Sequence, residues 1–430
     1  MIGFFKKLWR DKRGNALVIA AAALPLLIGS AGLASDTIEW ALWKRQLQRA
    51  ADSAAIAGVY AHIQSASVND AVTRDLSYNS HVGITTNVAT TNPPSTGSYT
   101  ADVNAVRVAL SVQKKLSFSG MFMSATPTIT ATATATITPS GKYCVISLEN
   151  TAVTGITGTG NATVNLGCGM ITNSTSLSAA VATGSSTVNS SPIAAVGGIP
   201  ASSNWGSGTV LSPFTLAQED PFANVPPPTF PNPQCPNLNV GSNQTKNTWN
   251  GSDYKTTPDG YMCFGNVTLQ GNVTFPPNSV IVLDAGSLSI GSQANVTCAN
   301  CTFVLSSRTA DTNPRSIGNV DINGGATVNL TASNTGTYSG LIVYQDRRAI
   351  NDTDANHQSR LNGNSSSVFQ GGFYFPSQQV TFNGTTGMQT NCLQLVARIV
   401  VYSGDMNINN SCPANSGAHA FDGKKVRLVE

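Results

Sequence analysis

Charge is scarce in this chain. Asp, Glu, Lys and Arg make up 10% of its 430 residues, against about a quarter in ordinary soluble domains. The formal net charge is only +3. Nucleic-acid binding needs a basic stripe for phosphates and interleaved aromatics for bases. Neither is present, so no nucleic-acid partner is expected. Histidine is scarcer still: His62, His81, His357 and His419 stand far apart, with no HxxxH or HExxH spacing. That removes the familiar zinc-hydrolase patterns. GxSxG, P-loop and strand-to-helix GxGxxG signatures are missing as well, so no cofactor or metal is expected.

Thr, Ser, Asn and Gly fill the place of the missing charges. Thr suits strands, and Asn and Gly suit tight corners, so the composition points to β structure with many turns.

The basic residues that do occur gather at the start: Lys6, Lys7, Arg10, Lys12 and Arg13. An apolar run from Ala16 to Ala34 follows. At 1.5 Å per residue it reaches about 28 Å, enough for a bilayer core. The basic flank sets the N-terminus in the cytoplasm and the remainder outside. Pro25 predicts a kink, and Gly29 and Gly32 invite close helix approach. A cleaved export signal is the alternative, with Leu33-Ala34-Ser35 as its cut site. Against cleavage, Glu39–Ile63 is rich in Ala, Leu, Gln, Arg and Lys and holds no proline, so one long helix is expected to leave the membrane uncut. Trp40 and Trp43 stand where an interfacial aromatic belt belongs. Ala50, Ala54, Ala57 and Ala61 recur at helical spacing, a small-residue face open to its own domain or to a neighbouring subunit.

Together these residues resemble a known family. Arg13-Gly14-Asn15, the apolar run with its proline, Asp36 at the exit and Leu47-Gln48-Arg49-Ala50-Ala51-Asp52-Ser53-Ala54-Ala55-Ile56-Ala57 are similar to the N-terminal Tad region of TadE/TadG-like Flp pilus assembly proteins. The stretch Arg107–Ile137 resembles the two-stranded continuation of that region. The resemblance implies a single-pass bacterial inner-membrane protein with its bulk in the periplasm. Its implied partners are membrane lipid, pilin subunits or other Flp/Tad machinery, and further copies of itself. It marks Gly14 and Asn15 as a prepilin-type processing point, and Asp36, Ala50, Asp52, Ala54 and Ala57 are the residues expected to contact other subunits or the machinery. Pilins carry a Glu five residues past the cut glycine; here that position is Ile19, which favours an anchored, TadG-like component over a shaft subunit.

After the helix, Ser67 is a natural N-cap for a short helix to about Tyr78. Gly83–Ser98 reads as loop. Ala105–Phe118 and Pro127–Thr138 alternate apolar with polar residues and read as strands under the helix. From Gly141 onward near-repeats appear. Asn161-Ala-Thr-Val-Asn165 is echoed by Ser185-Ser-Thr-Val-Asn189, and Leu288-Ser-Ile290 by Val320-Asp-Ile322. Short strands at coil-length spacing predict a right-handed parallel β-helix, with a β-sandwich as the alternative. Ala217–Pro236 is proline-rich and reads as an extended strap. The expected organisation is a cytoplasmic stub at 1–15, a transmembrane helix at 16–35, a pilin-like α+β domain at 36–140, and an all-β region at 141–430 with its strap at 217–236.

The eight cysteines all follow the membrane run, and their even number suits an oxidising compartment. Local pairing joins Cys144 with Cys168, Cys235 with Cys263, Cys298 with Cys301 and Cys392 with Cys412. A zinc or redox reading of Cys298-Ala-Asn-Cys301 has no second CxxC and no paired His to support it.

A β-helix invites comparison with polysaccharide lyases, which cluster carboxylates with a basic residue. The densest charge cluster is Asp346-Arg347-Arg348, Asp352, Asp354, His357 and Arg360, read as a self-paired surface loop. Asp284, Asp311 and Asp321 read as scattered. The Asp-x-Ser-x-Ser metal motif of von Willebrand A domains, found in some TadG-like proteins, is not here. The expectation is therefore a non-enzymatic envelope protein. An adhesin displaying Asn, Thr and Tyr ladders is the alternative, and a carbohydrate-active enzyme a remote one.

Overall fold

The computed structural model describes residues 15–78, 86–351, 354, 357–362, 364, 366–384, 389–404, 407–408 and 420–430. The chain divides into two compact units: the part before Pro139 together with Lys425–Glu430, and Pro139–Lys424.

The first unit is built on α1, Asn15–Ile63, a 49-residue helix that continues through Pro25. After it comes α2, Val68–Tyr78. The Asp70 amide donates to the Ser67 hydroxyl at 3.3 Å, the expected N-cap. Three antiparallel strands follow: β1 (Thr86–Thr91), β2 (Val106–Gln113) and β3 (Thr128–Ser147). β1 corrects the loop expected over Gly83–Ser98. Its TNVATT sequence has no apolar alternation to announce a strand, and its order comes from pairing along the edge of β2. In β2 the alternation holds: Val106, Val108, Leu110 and Val112 are buried. They meet Ile129, Ala131, Ala133 and Ala135 of β3 and the inner face of α1 in one core. Val426 and Leu428 pack against that core, and Glu430 closes the sheet's polar side through Arg107 at 2.9 Å.

The second unit is a largely parallel β assembly, unlike the antiparallel pairing of a sandwich. One ladder runs through ten strands. Met262–Phe264 pairs with Val280–Asp284, that strand with Thr302–Ser306, then Leu341–Gln345, Val368–Gly384 and Gln389–Gly404. The ladder then returns to an early part of the chain. Leu395 and Val396 pair with Val145 and Ile146, and the row continues through Gly169–Thr172, Ile193–Ala195 and Leu211–Ser212. A second ladder starts from Leu238–Val240 and passes through Val267–Leu269, Leu288–Ile290, Val320–Ile322 and Ser359–Leu361 to the same two long strands, then to Ile156–Gly158 and Ala180–Ala182. A third set joins Thr245–Lys246, Asn272–Thr274, Asn295–Cys298, Thr327–Thr331 and Val368. The near-repeats fall in direct register, Ile290 on Ile322 and Val164 on Val188.

The two main ladders differ in burial, and the strap explains the difference. On the second ladder only alternate residues are buried, as in Leu288–Ile290 and Val320–Ile322. On the first, Thr302–Ser306 and Leu341–Gln345 are buried throughout. A strand covered on both faces reads as a continuous apolar run. Ile281, Leu283, Phe303 and Leu305 point into the main core. Val282, Val304, Tyr344, Tyr374 and Val396 form a second apolar layer, with Phe222, Val225 and Phe230 of the strap packed on it.

The strap is held rung by rung. The Gln218 amide donates to Asn173 Oδ1 at 2.7 Å. The Tyr344 hydroxyl donates to Val225 O at 3.0 Å and the Tyr338 hydroxyl to Pro226 O at 3.1 Å. The Cys235–Cys263 disulfide fastens the strap's far end to the ladder's first strand.

Candidate membrane and assembly site

The helix α1 has two different halves. From Val18 to Leu33 apolar side chains point outward on every side: Val18, Ile19, Leu24, Leu26, Leu27, Ile28 and Leu33 are all exposed, Leu26 by 76%. A helix apolar all round is made for a nonpolar surrounding. The segment is long and apolar enough to cross a membrane, and its most apolar stretch is unburied. From Asp36 onward the helix is one-sided. Trp43, Leu47, Ala50, Ala51, Ala54, Ala55 and Val59 are buried at a spacing of three and four, and all but Asp36 join the core against β2 and β3.

The assembly residues expected from the sequence therefore divide. Ala50 and Ala54 are covered by their own sheet, where their small size lets helix and strands approach closely. Ala57 lies instead in an open groove of about 470 Å³ between α1 and α2, lined also by Tyr60, Asp70, Arg74 and Tyr78. Asp52 accepts a hydrogen bond from Gln48 Nε2 at 2.8 Å on the half-exposed flank of α1. Trp40 is 45% exposed, whereas Trp43 is 7% exposed and carries the Lys114 ammonium 4.3 Å above its ring. Of these two tryptophans, Trp40 is the one that faces outward. Asn15 is the first described residue of the helix, and Gly14 lies outside the described residues.

Asp36 has a specific local job. It is 4% exposed. The Phe118 amide donates to its Oδ1 at 2.8 Å and the Ser119 amide to its Oδ2 at 2.5 Å. Ser119 opens a short 3₁₀ turn, Ser119–Met121, so the carboxylate satisfies amides that have no partner within the turn. One turn further along α1, Glu39 accepts from the Ser117 hydroxyl at 2.8 Å.

In the second unit, Cys144–Cys168, Cys235–Cys263 and Cys298–Cys301 are disulfides, with Cα separations of 5.8, 5.6 and 5.7 Å. Cys392 is also disulfide-bonded; Cys412 lies outside the described residues.

The structure gathers carboxylates that look scattered in sequence. Asp284 pairs in register with Ser306, and the Ser306 hydroxyl donates to Asp346 at 2.6 Å. Asp284 binds Arg308 at 2.5 Å; Asp346 binds Arg348 at 2.6 Å, and Arg348 reaches Asp311 at 2.9 Å. Asp284 and Asp346 are buried, which corrects the solvated-loop reading for Asp346. Alignment on successive rungs is the missed signal. Burial pushes the Asp346 carboxyl up, but Arg348 and Ser306 outweigh it and hold it below the usual carboxylate range. A carboxylate so paired stays ionised and is a poor proton donor. Asp352 lies outside the described residues, and among those described no group of three or more His, Cys, Asp or Glu is placed to hold a metal ion.

Several tyrosines of the second unit are turned inward. Tyr344 and Tyr374 stack at 5.3 Å and are buried with Tyr338 and Tyr402.

No curated protein and no solved structure matches the chain. A family model does: residues 14–62 match Tad, described as Flp pilus-assembly TadE/G-like. The matched segment coincides with nearly the whole of α1, so the chain's likeness to the TadE/G-like Flp pilus-assembly family lies in that helix.

Proposed function

We propose that this protein is a non-enzymatic, single-pass inner-membrane component that assists or anchors assembly of a Flp/Tad-type pilus. Its N-terminus lies in the cytoplasm, the Ala16–Ala34 run in the membrane, and the rest of the first unit with the whole of the second in the periplasm. The observation that carries the reading is the coincidence of the Tad match, residues 14–62, with a helix whose first half exposes apolar side chains all round. The basic cluster before that helix supports the orientation, and the disulfides support an oxidising compartment. The three parallel ladders and the in-register repeats support a right-handed parallel β-helix for the second unit, with the strap as its cover. The paired state of Asp284 and Asp346 supports a structural role over a catalytic one.

Partners on this reading are membrane lipid, pilin subunits or other pilus machinery, and further copies of the chain; the Ala57 groove is the surface offered to them. The test is fractionation with N-terminal mass determination, joined to a chromosomal deletion. The expected result is an uncut chain in the inner membrane and loss of surface pili on deletion. A soluble chain beginning at Ser35, or normal piliation without the protein, would overturn the reading. Recovery in sheared pili would favour the adhesin or minor-pilin alternative.

A further inference from the structure

The loop between β2 and β3 carries a group of apolar side chains that the first unit does not bury. In Lys114-Lys115-Leu116-Ser117-Phe118-Ser119-Gly120-Met121-Phe122-Met123, Met121 is 77% exposed, Phe122 76% and Met123 51%. Exposed apolar groups this close together mark a contact surface.

Its neighbour along α1 indicates what that surface meets. Three contacts dock the loop on the helix in order. Ser117 bonds Glu39, Phe118 and Ser119 bond Asp36, and the Phe118 ring lies directly on Gly32, where a Cβ would collide with it. From Glu39 to Gly32 is seven residues, about 10 Å along the helix axis. The loop thus descends α1 towards its apolar half and reaches the level of the Ala16–Ala34 run. Phe122 meets Phe118 edge to face at 5.4 Å, so it sits beside that same level. Lys114 and Lys115 precede the loop's apolar residues in the chain. The Lys115 stem lies over Gly120 and Lys114 covers Trp43, the arrangement of cations at a headgroup boundary.

We propose that this loop is a second membrane-contacting element, seating Phe118, Met121, Phe122 and Met123 among the acyl chains of an anionic bilayer with Lys114 and Lys115 at its headgroups. It rests on the reading of α1 as a membrane span and goes beyond it. The span alone leaves the unit free to rotate and tilt about one helix. A second foot fixes its orientation to the membrane plane, and Asp36 is the bolt that holds foot to helix.

The test uses the full chain in phosphatidylcholine–phosphatidylglycerol vesicles (7:3) and follows the extra indole of Phe122→Trp, with Met121→Trp as an independent second position. Difference emission against the parent chain is quenched by lipids brominated near the headgroup end of the acyl chain, by about half, and is insensitive to iodide in the buffer. Quenching by iodide without bromolipid quenching puts the loop in water and overturns the proposal. Protection from both quenchers means protein covers the loop, as in packing with a second copy, and overturns it equally. Flotation of the vesicles after carbonate washing reads the anchor separately. A chain that floats while its added indole stays in water loses only the loop proposal, and a chain that does not float loses both.

Discussion

Tyr374 and Asp220 stand 154 residues apart in the chain, and the hydroxyl of one donates to the carboxylate of the other at 2.7 Å. Phe222 lies edge-on to the same tyrosine ring at 5.3 Å, and Arg347 reaches both Asp220 and the Phe222 carbonyl. A proline-rich segment with no ladder of its own is held by side chains from the sheet beneath it.

Removing one of those holds should loosen the strap while leaving the sheet intact. Tyr344→Phe deletes the donor to Val225 O and should cost about 1 kcal/mol, and Tyr344→Ala about 3–5 kcal/mol through the cavity it leaves. Limited proteolysis between Ala217 and Pro236 is the readout. Cutting in Tyr344→Ala no faster than in the parent chain would show that the strap is held elsewhere.

The Cys235–Cys263 link closes a separation of 28 residues. By loop-closure entropy its replacement with a pair of alanines should cost about 3.6 kcal/mol. A midpoint in urea unchanged within error would refute this.

Asp346 gives a pH dependence with a definite sign. Its folded pKa lies below the usual carboxylate value, so at acid pH the unfolded chain binds the extra proton. The stabilisation is complete above the unfolded carboxylate pKa and is lost as pH falls through the folded one. Unfolding midpoints measured from pH 7 to pH 3 should decline less steeply for Asp346→Asn than for the parent. The same variant should be less stable at pH 7 by about 1–3 kcal/mol.

Asp36→Ala leaves the Phe118 and Ser119 amides without their acceptor and should cost about 1–3 kcal/mol. Hydrogen exchange at those two amides should rise about 5- to 100-fold, since each 1.4 kcal/mol is a factor of ten. Exchange unchanged at both positions would mean that Asp36 is not what holds the loop.

Ala54→Leu and Ala57→Leu separate packing from assembly. Ala54 has no free space against its sheet, so the larger side chain should destabilise by about 1–3 kcal/mol. Ala57 opens into the groove and should accept leucine without loss of stability. A defect in piliation from Ala57→Leu in a fully stable protein would assign that groove to a partner.

What the sequence disclosed follows from which interactions are local. The apolar run before Asp36, the alternation of Val106 to Val112 and the echo of Val164 in Val188 are patterns within a few turns or one repeat, and each corresponds to an observed element or register. The echo of Asn165 in Asn189 even becomes a hydrogen bond, at 2.6 Å. The order of the ladder was hidden, because repeats show that strands stack and not which block stacks on which. The strap's contacts were hidden too, since its tyrosine partners lie more than a hundred residues away. The Asp36 carboxylate was singled out as an interface group; its nearest partners are the amides of a loop whose approach no periodicity announces. The inward turn of Trp43 and Ala54 depended on which flank of the helix the sheet would take, and small or aromatic residues stand on more than one flank, Trp40 and Ala57 among them.

The ladder's order has a consequence for how the molecule comes into being. The edge at Val145–Ser147 waits for its partner strand, and the Ser147 hydroxyl finds its acceptor, Arg398 O, 251 residues later. At about 5–20 residues per second of synthesis, that edge stays open for some 10–50 s. An early part of the ladder is completed by a late one, so a chain lacking Gln389–Gly404 loses the ladder's middle and leaves two unjoined stacks, each with a bare hydrogen-bonding edge.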